Sequence, residues 1–600
     1  MKLPSLDALV SAIRATLRRF PMVLLAAVVA AVAGVIATYD AVDEELWGRV
    51  VGTAALGMPF FLAVDLLAER RRWSIGPRSA LWTLGTAGLV GFYLLWLDWS
   101  EPVAVGRYIQ LSAGLHLLVS VAPFIGVREL QGFWEYNKSL FLRFLMAGLY
   151  SAVLFAGLAI ALAAVDNLFG LEVPEETYFR LWIMIAFLFN TWFFLGGVPQ
   201  DLPALEQRSD YPMGLKVFAQ YVLIPIVVVY LLILTTYLGK IIVTTVWPSG
   251  WIGWLVSSVA AVGIFSLLLV HPVAERAENR WIRTYARAFY ITLLPSVVML
   301  WLATWKRIDQ YGITERRYFL AVLSIWLAAI AVYYAIRRSR DIRIIPASLC
   351  VVALVTFAGP WGAYRMSEAS QVRRLERLLT ASEILQSGTI RQASLMPSLD
   401  DRREISSILR YLVGTHGTGA ISDWFGGALA TIDTVGEGTG PSPQREADER
   451  AELLAAHLGV GYIGESEARR PGAFSYAAKE GMPVPVAGFD YAWAGQGLLR
   501  DSAVIDDGLL LRYDSASVTL RLSAGEALLT EIPLRPIIDS AQAYRAQPGA
   551  DARIPPAVMR VTIENDRIRL AAYVTTIRGR DTEGELVLSS LDLNLIYAMK

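Results

Sequence analysis

Apolar runs of about twenty residues recur along the first 362 residues, and this recurrence limits the fold more than any other feature of the chain. A bilayer core takes roughly 20 mainly apolar residues per helix, and a backbone without water must satisfy its own hydrogen bonds. Eleven runs stand out, near 21–39, 48–68, 79–97, 106–125, 141–165, 181–198, 217–246, 251–270, 286–304, 318–336 and 344–362. They predict an α-helical transmembrane bundle of about eleven spans. The composition agrees: 55% of residues are hydrophobic, 18% are charged, and the mean hydropathy is +0.45. Arg14, Arg18 and Arg19 before the first run imitate a signal peptide, but ten further runs favour an uncleaved first helix.

Orientation follows from the Lys/Arg bias of short loops. With the N-terminus inside, the cytoplasmic segments hold 21 Lys+Arg and the opposite loops eight. An odd number of spans then puts the remainder of the chain on the outer side. One segment resists: KRIDQYGITERRY, Lys306–Tyr318, carries four cations on the side that the other loops make outer. Residues 1–365 hold 30 Lys+Arg against 23 Asp+Glu, so the tail is seven charges negative. An acidic tail excludes nucleic acid as a partner, since phosphates need a clustered basic face. The lone Cys350 excludes disulfides and cysteine metal sites within one chain.

After Trp361 the hydropathy falls. SEASQVRRLERLLTASEILQSG reads as an amphipathic helix, DDRREISSILRYLVG as a second, and DERAELLAAHLG as a third. TVGEGTGPSPQREA is the natural linker. SVTLRL, the pair of runs in RVTIENDRIRL, and ELVLSSLDLNLIY alternate like strands with one buried face. The expected organisation is a transmembrane domain at 1–364, a helical juxtamembrane part at 365–433, a linker at 434–447 and a β-rich module at 448–600. The tail is thus an extracytoplasmic α+β domain.

No G-x-S-x-G, Walker A, H-E-x-x-H or paired C-x-x-C pattern is present, so no catalytic residue, metal site or cofactor is assigned. Polar residues within spans should face the bundle interior and find a partner. Asp65, His116 and Asn190 are the intramembrane candidates, with Asp65 expected to pair with the arginines that follow it. On the outer face the candidates are Lys240, Trp247, Arg307, Asp309, Tyr311, Thr314, Glu315, Arg316 and Trp361. Lys240 can snorkel to headgroups, Trp247 belongs to an aromatic belt, and Thr314 is placed to cap the tenth span. The four cations around Tyr311 would meet anionic headgroups or the acidic tail.

FWEYNKSLFLRFLMAGLYSAVLFAGLAIAL, FNTWFFLGGVP, YVLIPI with TTYLGKIIV and WPSGW, RIDQYGITERRY and GPWGAYRMSEASQ occur in this order. Together they resemble the bacterial multi-pass proteins filed as domain of unknown function 4153. The resemblance covers about residues 130–420. It implies a bacterial inner membrane and supplies no catalytic residues. The expected function is a non-catalytic envelope component for binding, sensing or assembly, whose periplasmic tail engages a partner or ligand. A transporter or lipid translocase using the bundle is the alternative, and an enzyme at the outer interface the third. Beyond the lipid bilayer no partner is named, and the sequence fixes no oligomeric state.

Overall fold

The structure is a computed structural model. It describes residues 6–40, 42–99, 101–208, 211–244, 251–274, 280–337, 341–392, 396–426, 429, 443–464, 473–479, 483–499, 503–506, 508–545, 553–582 and 585–600. Trp247 and residues 434–442 of the expected linker lie outside them. The chain divides into two compact units, Met1–Ser367 and Glu368–Lys600.

The first unit is helical throughout: α1 Leu6–Arg19, α2 Pro21–Ile36, α3 Glu44–Arg71, α4 Ile75–Leu95, α5 Pro102–Val121 and α6 Leu130–Phe169 open it. Next come α7 Glu175–Gly196, α8 Met213–Thr244, α9 Trp251–Val270, α10 Arg280–Tyr311, α11 Glu315–Ile336 and α12 Ile344–Val355. Each of the eleven apolar runs overlaps a helix, the last of them only over Ile344–Val355. Among the described residues, seven helices are long and apolar enough to cross a membrane, or eight if the pair α1 and α2, bent by 104°, counts as one. These helices fit a membrane protein. In α1 the apolar Val10, Ile13 and Leu17 are exposed along one face.

Helix ends follow local chemistry. The Asp43 carboxylate accepts from the Leu46 amide at 3.0 Å, Glu44 and Glu45 begin α3, and Arg70 and Arg71 finish it, matching the helix dipole at both ends. Two helices carry a π turn, at Ile185–Phe189 within α7 and Phe218–Leu223 within α8. A π turn inserts one residue into the helical ladder and shifts the register of the faces on either side.

The helices alternate in direction, which their end contacts make plain. At one end Phe20, Leu66, Phe124, Tyr136, Val198, Leu205 and Ile342 share one apolar core. The FWEYNK motif is the joinery here. Trp134 Nε1 donates to the Leu268 carbonyl (2.8 Å), the Tyr136 hydroxyl to Val119 (2.9 Å) and Ser120 to Asn137 Oδ1 (2.7 Å), while Lys138 pairs with Glu135 (2.6 Å). Arg19 donates to the carbonyls of Val198 and Pro199. At the other end Arg180 reaches Thr38, Arg49 the Tyr93 carbonyl, and Tyr318 the Trp361 carbonyl. The helix α13 Ala363–Ala381 follows α12, and the unit boundary falls within it.

In the second unit, α14 Leu399–His416 and α15 Pro443–His457 pack with Leu375, Leu379 and Phe425 around one helical core. Two antiparallel sheets follow a small hairpin, β1 Leu385–Gln386 and β2 Thr389–Ile390. The strands are β3 Ala473–Ala477, β4 Tyr491–Gly495, β5 Ala503–Asp506, β6 Leu509–Asp514, β7 Thr519–Ala524, β8 Ala527–Pro533, β9 Arg560–Glu564, β10 Ile568–Thr582 and β11 Glu585–Met599. Strand order is β3-β10-β11-β4 in the larger sheet, where β9 also pairs with β10, and β5-β6-β7-β8 in the smaller. Leu520, Ile532, Leu570, Ile577, Leu591 and Leu595 form a single core with Ile537, Ile538 and Ala541 of α16 Arg535–Arg545. The region is β-rich, as the alternating runs predict.

Candidate functional site

The segment KRIDQYGITERRY is mostly helix. α10 continues through Lys306 and Arg307 to Tyr311, and α11 begins at Glu315, leaving only Gly312–Thr314 between them. Gly312 has φ +70°, which an L side chain adopts only with strain. Arg317 closes the turn by donating to the carbonyls of Tyr311 (3.0 Å) and Gly312 (2.8 Å), with its guanidinium 5.6 Å from the Tyr311 ring. Thr314 stands at the N-cap position, yet its side chain makes no capping bond, contrary to expectation. The turn is held by the arginine in its place.

Trp361 joins this turn. Its carbonyl accepts from Tyr318 at 2.6 Å, and its indole donates to the Val355 carbonyl at 2.8 Å, folding 356–362 back over the end of α12. Arg307, Asp309 and Arg316 point outward and are exposed, as is Lys240 on α8. The outer-face candidates therefore do not converge on one site; Tyr311 and Trp361 are gathered around Arg317 and Tyr318.

Beside them lies a cleft that sequence reasoning missed. A cavity of about 210 Å3 is lined by Trp96, Arg107, Phe357, Gly359, Tyr364 and Arg365. Tyr364 is seated because α5 has a glycine where the ring passes: a Cβ on Gly106 would come within 2.2 Å of its hydroxyl. Arg107 lies over the Tyr364 ring at 5.4 Å. Burial first, and the Glu315 carboxylate second, push the Tyr364 phenol up to about 12, while Arg107 acts the other way. Trp96 stands edge-on to Phe357 at 5.7 Å. A second cavity of about 300 Å3 shares Trp96 and Arg107 and adds Arg49, Asp98 and Glu101. Arg49 Nε is buried with no hydrogen-bond partner.

The cleft thus offers three guanidiniums, two carboxylates and aromatic walls. Arg365 is exposed and makes no ion pair among the described residues. The signal was present in GPWGAYR, where Trp361 drew attention and its neighbours Tyr364 and Arg365 did not. Arg49 and Arg107 come from two different helices, α3 and α5, and nothing local in sequence links them.

The intramembrane candidates separate. Asp65 is buried and bonded to Arg78 Nε and Trp82 Nε1, both at 2.9 Å; its partner comes from α4, and Arg70 pairs instead with Glu129. Asn190 accepts from Ser151 Oγ at 3.3 Å, a bond between α7 and α6. His116 is exposed, and its Nδ1 bonds the Ser112 carbonyl one turn back at 2.8 Å, so it does not face the interior as expected. A histidine on a helix satisfies one ring nitrogen locally, which removes the need for an interhelical partner. These three residues lie in separate contacts and form no shared path.

A family model described as a domain of unknown function, DUF4153, matches residues 23–386. An uncharacterised protein, PM1469, from Pasteurella multocida (strain Pm70) is 24% identical over 245 residues, covering 39% of this chain and 40% of that protein. The chain thus spans about two fifths of the length of this curated relative. No solved structure gives a significant match.

Proposed function

The chain belongs to the domain of unknown function family DUF4153, and from that premise we propose that it is a non-catalytic binding component of the bacterial cell envelope. In this reading α2 to α12 cross the inner membrane eleven times, the N-terminus is cytoplasmic, and residues 368–600 form a periplasmic domain that engages an envelope partner. Two features support the topology: helix ends alternate between two sets of joined loops, and Lys+Arg divide 21 to eight between them. α1 then lies along the inner interface, its exposed apolar face in the headgroup layer.

The observation that carries the binding role is the outer-end cleft. Aromatic walls, a mixed-charge floor and the unpaired Arg365 suit a peptide-like segment with an acidic group set against Arg365 and Arg107. The test is a photo-crosslinking amino acid at Phe357 of the full-length protein in intact cells. A discrete adduct is expected, and it should vanish in Arg107→Glu/Arg365→Glu while lipid-facing positions such as Leu232 give none. Crosslinks to lipid alone, or an adduct indifferent to the two arginines, would remove the proposal.

A further inference from the structure

A cavity of about 520 Å3 in the helical unit lies at the opposite end from the outer cleft. Four helix ends meet there: the end of α9 with His271 just beyond it, the first turns of α10 with Arg283 and Arg287, the last turn of α11 with Tyr334 and the following Arg337, and the start of α12. Arg283 and Arg287 are four residues apart, so they share one face of α10. Tyr290 and Tyr334 stack beneath them, centroids 4.9 Å apart and planes 14° apart. The Tyr334 hydroxyl donates to the Asp341 carbonyl at 2.7 Å, which fixes the floor. Leu268, Ile282 and Ile345 close the membrane side.

Among the described residues, three guanidiniums and an imidazole therefore face one cavity, and no carboxylate lines it. Among the described residues none of Arg283, Arg287 and Arg337 makes an ion pair. Asp341 lies near enough to His271 to feel its charge, but it is committed to Arg343 at 2.6 Å, which holds its carboxyl below the usual range. Bringing like charges together in a partly enclosed space is unfavourable unless an anion completes it. Guanidiniums favour phosphate, whose oxygens match their planar fork, and a basic recess between helix ends is how membrane proteins hold anionic headgroups. Its volume is in the range of small-ligand sites, which run from about 300 to 1,000 Å3.

We propose that this cavity is a phosphate-binding site, in which Arg283, Arg287 and Arg337 grip one phosphate group and the apolar wall carries whatever is attached to it. The group is either the headgroup phosphate of an anionic phospholipid or a free phosphate. The site is independent of the outer cleft and of any partner bound there.

The test uses the purified full-length protein in nanodiscs, with thermal unfolding as the readout. One arm replaces phosphatidylcholine with phosphatidylglycerol; the other adds inorganic phosphate to phosphatidylcholine discs. A shift in the lipid arm identifies a headgroup as the source, and a shift in the phosphate arm a soluble anion. In either case Arg283→Gln/Arg287→Gln/Arg337→Gln should weaken the apparent affinity by about ten-fold or more, while Arg307→Gln/Arg316→Gln at the other end leaves it intact. Should the triple variant not fold, Arg287→Gln alone is read in the same way. No shift in either arm, or an equal shift in the cavity variants, overturns the proposal.

Discussion

At Asp65 a carboxylate inside the helical unit is held by one guanidinium and one indole from the next helix. Removing the cation strands a buried charge, so Arg78→Ala should destabilise the protein by about 3 to 5 kcal/mol. Thermal unfolding in detergent measures this, and Asp65→Leu/Arg78→Leu should recover part of the loss. In sequence Asp65 was visible as a polar residue in a span, but its partner was not, because pairing depends on how α4 rotates against α3. Glu452 in the second unit offers a pH test. Burial is the largest influence on its carboxyl and raises it above the ordinary 4.5, with Arg545, 3.1 Å away, only partly offsetting that. An acid whose folded pKa is raised contributes stability below its unfolded pKa and loses it as pH rises through the folded one. Hydrogen exchange in α15 should therefore show wild type losing ground to Glu452→Gln as pH rises from about 4.5. Parallel pH profiles would contradict this.

Among the elements, the turn between α10 and α11 depends on Arg317, which donates to two terminal carbonyls of α10. Arg317→Gln should cost about 1 to 2 kcal/mol and speed exchange at residues 308–312, whereas Arg307→Gln and Arg316→Gln should change neither. Sequence reading found this segment by its charge and gave all four cations one purpose; only the fold separates the cap, Arg317, from the exposed pair, Arg307 and Arg316. The turn between β9 and β10 is the counterpart in the second unit. Asn565 accepts from the amides of Arg567 and Ile568, each at 2.9 Å, and donates to the Leu529 carbonyl at 3.0 Å. Asn565→Ala should destabilise the β-rich region by about 1 to 3 kcal/mol, read as faster exchange in β9 and β10. This hairpin was legible because a period of two on either side of a polar turn is a local signal. The sheet order was not, since β3 and β9 line the same edge of β10 only after a long excursion of the chain.

For the whole molecule, apolar length alone located α2 to α12 of the first unit, because the solvent requirement acts on each run by itself; α1 was missed. The helix ends were harder to place: α6 begins at Leu130, well before the apolar run at 141, because its first turns carry the FWEYNK contacts and need no lipid. Both clefts were illegible for a common reason, in that each assembles arginines from helices and helix ends far apart in sequence, and a loop charge count registers them only as topology. That count also supplies the central claim, that the two sets of joined loops face opposite sides of a membrane. Cys350 is the one cysteine, and it is buried, so Cys350→Ala gives a background without thiols. Into it Arg316→Cys and Gln207→Cys place one thiol each at exposed positions on the two ends. With a membrane-impermeant maleimide on intact spheroplasts, the account predicts labelling of Arg316→Cys at once and of Gln207→Cys only after permeabilisation. The reverse pattern, or labelling of both before permeabilisation, would contradict it.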